Sequence, residues 1–418
     1  MFLFQELKWR NLFQNSNDDK QLEQLLNQEQ INFYWGFDVT ADSLTIGHLV
    51  QMITILLLQK KGHKPFILIG RATSLIGDPK EKTERKLLSL EEIENNLFKI
   101  KKQLIKLLTE HKITFIDNFD WISKIDLIAF LRDYGKYFNV SYMISKEKIA
   151  QRLNKGISYT EFSYMILQAL DFYLLYKKHN IILQIGGSDQ WGNMTAGLEL
   201  IRKKKKNEFQ QKPFALSTSL LLDDKGVKIG KSEKNAIWLD EKLTNPYQIY
   251  QFCFNVNDDK VINYLKMLTL LEIDKILELE KQVQVSPNSR LAQRELAKQV
   301  VSFVHGEKIF QECCQVNNIL FLNKQKEINE KEFVLLRKYL FSIEIKEPIS
   351  IVDALVQTKL IDSRKKAKSI INSSKIKIFQ KTIKTLDFIV MPEIALCNNK
   401  YILLTKKNKI HALIVCQN

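Results

Sequence analysis

Apolar residues gather in four short runs, at 33–39, 65–70, 114–118 and 181–187. Runs of that length without polar alternation read as strands buried on both faces. Between them lie patterns of helical spacing at 49–62 and at 90–111. The second carries Ile93, Leu97, Ile100, Leu104, Leu107 and Leu108 on one face. Strands alternating with helices of this length predict an α/β, Rossmann-like parallel sheet with right-handed crossovers. Ligands on such sheets bind beyond the carboxyl ends of the strands. The polar clusters at 38–48, 73–85 and 188–193 follow three of the strands and are expected to converge on one crevice. From about 245 to 322 the pattern is wholly helical, and a charged passage at 323–332 follows. The expected division is a catalytic domain over 1–240, an α-helical domain over 241–325, a linker over 326–348 and a small basic α/β module over 349–418.

Composition narrows the function classes. The chain has 418 residues, 45% of them hydrophobic, with 14 Gly and 7 Pro, which is the make-up of a folded globular protein. A formal net charge of +16 points to a polyanionic partner. A membrane is the weaker choice of partner, since the longest apolar run, 52–58, is far shorter than the roughly 18 residues of a spanning helix. The five cysteines, Cys253, Cys313, Cys314, Cys397 and Cys416, show neither a disulfide framework nor zinc spacing and suit the reducing cytoplasm. The N-terminal segment reads as a short amphipathic helix and not a targeting signal. His63, His111, His179 and His411 read as surface or satisfied residues, and His305 as a packing or cap residue.

The segment from Phe33 to His48 carries the most chemistry. It is an apolar strand, a turn of small and hydroxylated residues (Thr40, Asp42, Ser43, Thr45, Gly47), then His48 opening an apolar helix. A strand feeding a helix N-terminus aims N–H groups and the positive end of a dipole at an anion. Tyr34 and Asp38 are polar where a buried strand usually has none. Taken alone, the segment also fits an ordinary strand-to-helix turn capped by Ser43. A second basic loop, Val227-Lys-Ile-Gly-Lys-Ser232, sets two lysines three apart around a glycine. Such a loop can close on phosphates, or be a solvated charged turn.

Together, in this order, the two elements resemble those of the bacterial-type tyrosyl-tRNA synthetases, a class I aminoacyl-tRNA synthetase family. Thr45-Ile-Gly-His48 stands where that class has its HIGH signature and Lys228-Ile-Gly-Lys-Ser232 where it has KMSKS. Leu75-Ile-Gly-Asp-Pro79, Phe130-Leu-Arg-Asp-Tyr-Gly-Lys136, Thr160-Glu-Phe-Ser-Tyr-Met165, Gln184-Ile-Gly-Gly-Ser-Asp-Gln-Trp-Gly-Asn193, Ala196-Gly-Leu-Glu-Leu-Ile201 and Val304-His-Gly-Glu307 resemble family sequence as well.

The resemblance implies activation of L-tyrosine with ATP to tyrosyl-adenylate and pyrophosphate, then transfer to tRNA(Tyr). It places Tyr34 and Asp171 at the substrate phenol, Asp78, Tyr164 and Gln168 at its ammonium, and Gln190 at its carboxylate. Tyr164, Gln168 and Asp171 stand at i, i+4 and i+7, one face of a helix. ATP is assigned to Asp38, Gly47, His48, Gly187, Asp189 and Lys231. Thr40, Thr45, Lys82, Arg85, Lys228, Lys231 and Ser232 surround the phosphates. Magnesium is expected to arrive with ATP; no metal-ligand spacing and no tightly bound cofactor are expected. The basic C-terminal segment resembles an S4-type RNA-binding module, with Arg364, Lys365 and Lys368 as RNA contacts. The family is homodimeric.

Several positions depart from the family pattern. Thr45 replaces the first histidine of the signature, Trp35 stands where a small residue is usual beside the ribose, and Val39 replaces a proline. Arg71 and Ser74 occupy usual glycine positions, and the loop 80–85 is one residue short, so Lys80 and Lys82 both qualify for the phosphate contact. Two other readings stand beside the active ligase: a tryptophanyl-tRNA synthetase, and a synthetase-derived RNA-binding protein with weakened catalysis.

Overall fold

The structure is a computed structural model that describes residues 1–80, 83–108, 112–154, 156–204, 211–223, 225–229, 236–321, 328–407 and 409–417. The chain forms two compact units. One contains Met1–Thr244 and Phe252–Val304, and the other contains Asn245–Gln251 and His305–Asn418. The helical stretch expected over 241–325 is therefore shared between the two.

In the first unit the four apolar runs form strands β2 (Asn32–Asp38), β3 (Lys64–Gly70), β4 (Thr114–Asp117) and β5 (Ile181–Gly187). With β1 (Asn15–Ser16) and β6 (Phe214–Thr218) they build one sheet in the order β1-β6-β5-β2-β3-β4. The neighbours from β6 to β4 are parallel, and β1 pairs antiparallel with β6. Successive strands β2, β3 and β4 step to one side, while β5 lies on the other side of β2. The strand order thus reverses beside β2, where a crevice opens at the carboxyl ends. The register brings those ends level, with Asp38 opposite Gly70 and Gly187 opposite Thr218.

The helix after β2 runs over Ile46–Lys60 and starts three residues before the apolar pattern suggested, because Thr45 holds extended dihedrals and forms its N-cap. Ile46 and every residue from Leu49 to Leu58 of that helix are buried, as its largely apolar sequence requires. The helix Tyr159–His179 is likewise buried around much of its circumference, between the sheet and the helix Trp191–Lys204. Gly197 permits that second packing, since a Cβ there would lie 3.0 Å from the Phe172 ring. Arg10, 1% exposed, pairs with Glu6 and donates to the carbonyls of Thr269 and Leu271, so its buried charge is fully engaged.

The second unit holds a five-stranded sheet in the order Lys381–Ile383, Ile376–Ile378, Tyr401–Lys406, Ile410–Cys416, Phe341–Ile345. One face packs on the helices Ile351–Gln357 and Arg364–Asn372 through Ile351, Leu355, Ile371, Ile376, Ile402 and Ile414. On the alternating residues of the other face, Tyr401 stacks on Phe333 of the helix Glu330–Tyr339, with ring centroids 4.8 Å apart. That helix lies within the stretch expected as a linker, 326–348. Asn329 and Glu332 form a capping box, Phe333, Leu336 and Tyr339 bury one side, and Phe341–Ile345 adds an edge strand. The density of charge over 323–332 concealed a helix whose apolar side is one residue per turn. No described helix is long and apolar enough to cross a membrane.

Phe333→Ala should destabilise the second unit by about 3–5 kcal/mol while tyrosine affinity stays unchanged. Urea unfolding of the full chain, followed together with tyrosine binding, checks both halves of that expectation.

Candidate functional site

All three polar clusters reach the carboxyl end of the first unit's sheet. On β2 the alternation of side chains puts Tyr34, Gly36 and Asp38 on one face. Gly36 is exposed between two larger neighbours, and its missing side chain leaves a gap bounded by Leu68 and the Tyr34 ring, each about 3.5–3.6 Å from where a Cβ would be. Tyr34 itself is 1% exposed and rests against Phe172, yet its hydroxyl is buried without a hydrogen-bond partner. Burial, with the Asp171 charge nearby, raises its pKa well above the usual phenol value.

The helix Tyr159–His179 faces that gap with Tyr164, Gln168 and Asp171. Asp171 accepts from Asn118 Nδ2 at 3.0 Å and from Trp121 Nε1 at 2.8 Å. These are neutral donors, so burial dominates and raises the carboxyl to about 7. Asp38 is held in the same manner, by Thr73 Oγ1 at 2.8 Å and the Tyr164 hydroxyl at 2.9 Å. Burial raises it to about 6, with the Asp78 charge adding to the shift. Gly70 makes the Asp38–Thr73 contact possible: a Cβ there would stand 2.5 Å from both Asp38 Oδ1 and Thr73 Oγ1. The side-chain oxygen of Gln168 is also buried without a partner.

Asp78 joins this group from the loop after β3. Its carboxylate accepts from Gln190 Nε2 at 3.1 Å and Asn193 Nδ2 at 3.0 Å, and Asn193 also donates to Gln190 Oε1. The result is a cluster of three buried carboxylates with an unpaired amide oxygen beside it. Such a cavity favours a compact cation carried on an apolar, hydrogen-bonding body.

The other wall is formed by the helix N-terminus and the basic loop. His48 Nδ1 accepts from the Thr45 N–H at 2.9 Å and lies 3.0 Å from the Thr45 hydroxyl. Burial and the neighbouring Lys228 charge lower its pKa to about 4, so the ring is neutral near pH 7. With Nδ1 accepting, the proton sits on Nε2, which is left as the donor. Thr45 is 7% exposed, so its hydroxyl serves His48 and does not stand open to a phosphate. Lys228 pairs with Asp189 at 2.8 Å. The carbonyl of Ile229 lies 3.5 Å from where a Gly47 Cβ would be, which sets the loop over the start of the helix. A Cβ on Gly187 would come within 2.6 Å of Asp189 Oδ1. Trp35, 3% exposed, packs between Phe37 and the His48 ring.

The structure thus gathers Tyr34, Asp38, Asp78, Tyr164, Gln168, Asp171 and Gln190 on one side, with Gly47, His48, Gly187, Asp189 and Lys228 on the other. Asp38, expected at the nucleotide, accepts from the Tyr164 hydroxyl, which the resemblance places at the substrate ammonium. Arg85 turns back to donate to the Asp78 carbonyl at 2.5 Å, and Thr40 is half-buried just past β2. Lys82, Lys231 and Ser232 lie outside the described residues. Thr73, Asn118, Trp121 and Asn193 were not singled out from the sequence. Their signal was position: each follows the carboxyl end of a parallel strand.

Asp171→Asn gives a pH test of the buried carboxyl. Its folded pKa is raised, so its contribution to stability is fully present below the ordinary value near 3.8 and is lost as pH rises through about 7. Relative to the Asn variant, the wild type should lose stability between pH 4 and 7, as read from urea midpoints at each pH. A constant difference across that range would contradict the raised carboxyl.

Comparison with known proteins agrees with this geometry. The family model described as tRNA synthetases class I (W and Y) matches residues 26–321. A tyrosine–tRNA ligase of Aster yellows witches'-broom phytoplasma is 53% identical over 416 residues, covering 99% of this chain and 100% of that protein. A tyrosine–tRNA ligase of Streptococcus gordonii is 42% identical over 423 residues, again 99% and 100%. Among solved structures, a C-terminally truncated mitochondrial tyrosyl-tRNA synthetase of Aspergillus nidulans superposes with a TM-score of 0.69 at 29% identity, covering 76% of this chain and 94% of that one. With its parallel sheet, its glycine-histidine helix start and its matched length, the chain belongs to the class I tRNA synthetases of the tryptophan and tyrosine group, in the tyrosine–tRNA ligase family.

Proposed function

We infer that the chain is a tyrosine–tRNA ligase, which activates L-tyrosine with ATP and passes the tyrosyl group to the 3′ end of tRNA(Tyr). The observation that carries the choice of tyrosine is the Tyr34 hydroxyl, buried without a partner and coupled to Asp171 across an apolar wall. A substrate phenol seated there satisfies both groups. An apolar ring leaves the Tyr34 hydroxyl unpaired, and an unpaired buried polar group costs about 1–3 kcal/mol.

The amine end follows from the same accounting. Gln168 Oε1 and the carboxylates of Asp78 and Asp38 accept from the ammonium, with the Tyr164 hydroxyl fixed by Asp38 beside them. Gln190, held by Asn193, turns its amide toward the substrate carboxylate. The neutral His48 donates from Nε2 to the nucleotide, and the backbone at Gly47 and Gly187 leaves room for it. Asp189 takes the ribose once Lys228 releases it, and Lys228 then joins Lys82, Arg85, Lys231, Ser232 and Thr40 around the phosphates, while Thr45 acts through His48.

The chemistry asks for placement and charge, not for a base. A carboxylate oxygen of tyrosine attacks the α-phosphorus, the new acyl–phosphate bond forms, and the bond to the β-phosphate oxygen breaks to release pyrophosphate. The tyrosine carboxylate is already ionised at neutral pH, so no proton must be removed. Cations converging on the leaving pyrophosphate lower the barrier. Magnesium enters as part of the ATP substrate. In the second step a ribose hydroxyl of the tRNA attacks the acyl carbon and AMP leaves.

Arg364, Lys365 and Lys368, at the start of the helix Arg364–Asn372, are assigned to RNA phosphates, with Arg364 anchored by Asp353 at 2.5 Å. Leu127, Ile128, Leu131 and Val140 are exposed and apolar within one short stretch, which supports a homodimer through that face. The absence of disulfides among the five cysteines suits a cytoplasmic enzyme.

Tyrosine should drive ATP–pyrophosphate exchange, and tryptophan should leave it at background. Tyr34→Phe should reduce discrimination against phenylalanine by about tenfold or more, seen as a fall in the ratio of kcat/KM values. Exchange driven by tryptophan, or none with tyrosine, would overturn the assignment.

A further inference from the structure

An ion pair that none of these roles uses is buried at the edge of the site. Arg152 is 2% exposed and Glu161 is 2% exposed, and Arg152 Nη1 lies 3.0 Å from Glu161 Oε2. Two charges buried so completely are costly unless every donor and acceptor is used. Arg152 donates to backbone carbonyls from two segments, so its contact with Glu161 Oε2 is an ion pair without a hydrogen bond. Nη1 lies 2.9 Å from the carbonyls of both Lys80 and Thr83, while Nε and Nη2 reach the carbonyl of Gly156 at 3.3 and 3.1 Å. Glu161 completes the hold from the other side, since its Oε1 accepts from the backbone N–H of Arg85 at 2.8 Å.

The pair therefore grips the backbone at Lys80, Thr83 and Arg85, on both sides of Lys82. From Arg85 the contacts continue inward. Its Nε donates to the Asp78 carbonyl, its Cδ would lie 2.5 Å from a Cβ on Gly77, and Asp78 is bound in turn to Gln190 and Asn193. Gly77 holds φ +80°, which is the left-handed region that favours glycine. Glu161 also stands three, seven and ten residues before Tyr164, Gln168 and Asp171 on one helix. The face that reads the amino acid thus also fixes the loop assigned to the phosphates.

We propose that Arg152 and Glu161 are a positioning pair that sets the backbone at Lys80, Thr83 and Arg85 in register with bound tyrosine. They touch no substrate. Their effect reaches the reaction through the backbone they hold, so it falls on the use of ATP and pyrophosphate and spares the tyrosine pocket. The proposal rests on the assignment of Lys82 and Arg85 to the phosphates, which Lys82→Ala and Arg85→Ala test separately. If those two variants exchange pyrophosphate like wild type, that assignment fails, whatever the clamp does.

The test uses the full chain with Glu161→Gln, which keeps an amide oxygen for the Arg85 N–H and removes the charge, and the double variant Arg152→Met with Glu161→Gln, which leaves no orphaned charge. Three quantities are read: KM for ATP in tyrosine-dependent exchange, tyrosine Kd by equilibrium dialysis, and amide hydrogen exchange over residues 78–88. The double variant should raise KM for ATP by about tenfold, the loss expected for one or two positioning hydrogen bonds. Tyrosine Kd should stay within about twofold, and amides over 78–88 should exchange faster. The single variant should move in the same direction by less. Equal weakening for tyrosine and ATP would mark a general structural role and overturn the proposal, as would unchanged KM with unchanged exchange over 78–88. Should the double variant fail to fold, the same readings on Glu161→Gln decide the matter.

Discussion

Burying a carboxylate in apolar surroundings costs several kcal/mol unless donors face it, and the amino-acid side of this site buries two that meet mainly neutral donors. Asp38 is held by Thr73 and Tyr164, and Asp171 by Asn118 and Trp121. Much of the surrounding architecture exists to meet that cost. Gly70 is bare so that Asp38 and Thr73 can touch, Asn118 closes β4 so that its amide reaches both Thr73 and Asp171, and the helix Tyr159–His179 is packed tightly enough to hold Tyr164 in place. The donors suffice to hold the carboxyls but leave them raised, to about 6 and about 7. On the proposed assignment, a substrate that brings a positive charge and a hydroxyl relieves that deficit, so binding energy and specificity share one source.

The strands were legible because each obeys a simple pattern. Continuous apolar runs marked β2, β3, β4 and β5 within a residue or so, while Tyr164, Gln168 and Asp171 were picked out by the family resemblance, their spacing then placing them on one helix face. The partners of those residues were not legible. Nothing in the local sequence of Thr73, Asn118 or Trp121 tells that they face Asp38 or Asp171, because the contact is made by strand order and not by chain distance. Arg152 illustrates the same limit: it is one of many cations in a chain of net charge +16, and only its burial singles it out. The stretch expected as a linker, 326–348, shows the converse. Its charge density reads as solvated chain, yet Phe333, Leu336 and Tyr339 are enough to seat a helix against Tyr401.

Thr45 changes meaning once its surroundings are known. As a replacement for a histidine in the signature it was expected among the residues around the phosphates. In place, its backbone and hydroxyl both address His48 Nδ1, and that contact sets which nitrogen of the ring carries the proton. The neutral state of the ring has a separate cause, burial beside the Lys228 charge. Tautomer and charge are thus fixed by different neighbours, and both leave His48 as a donor that competes for no proton with the substrate.

The pairing of Lys228 with Asp189 fits a reaction in which cations must arrive late. Both groups are about a third exposed, so water screens the bond and its strength is modest, of the order of 1 kcal/mol or less. A contact that weak holds the lysine near the nucleotide site without obstructing entry, and the far larger charge of a triphosphate outbids it. The backbone at Lys80, Thr83 and Arg85 is held on the opposite principle, by a buried arginine and glutamate. On the proposed assignment Arg85 is thus tethered to the helix Tyr159–His179, and Lys228 is left on an easily broken bond. That division suits a reaction whose ground state must admit ATP and whose transition state must gather the charge of departing pyrophosphate.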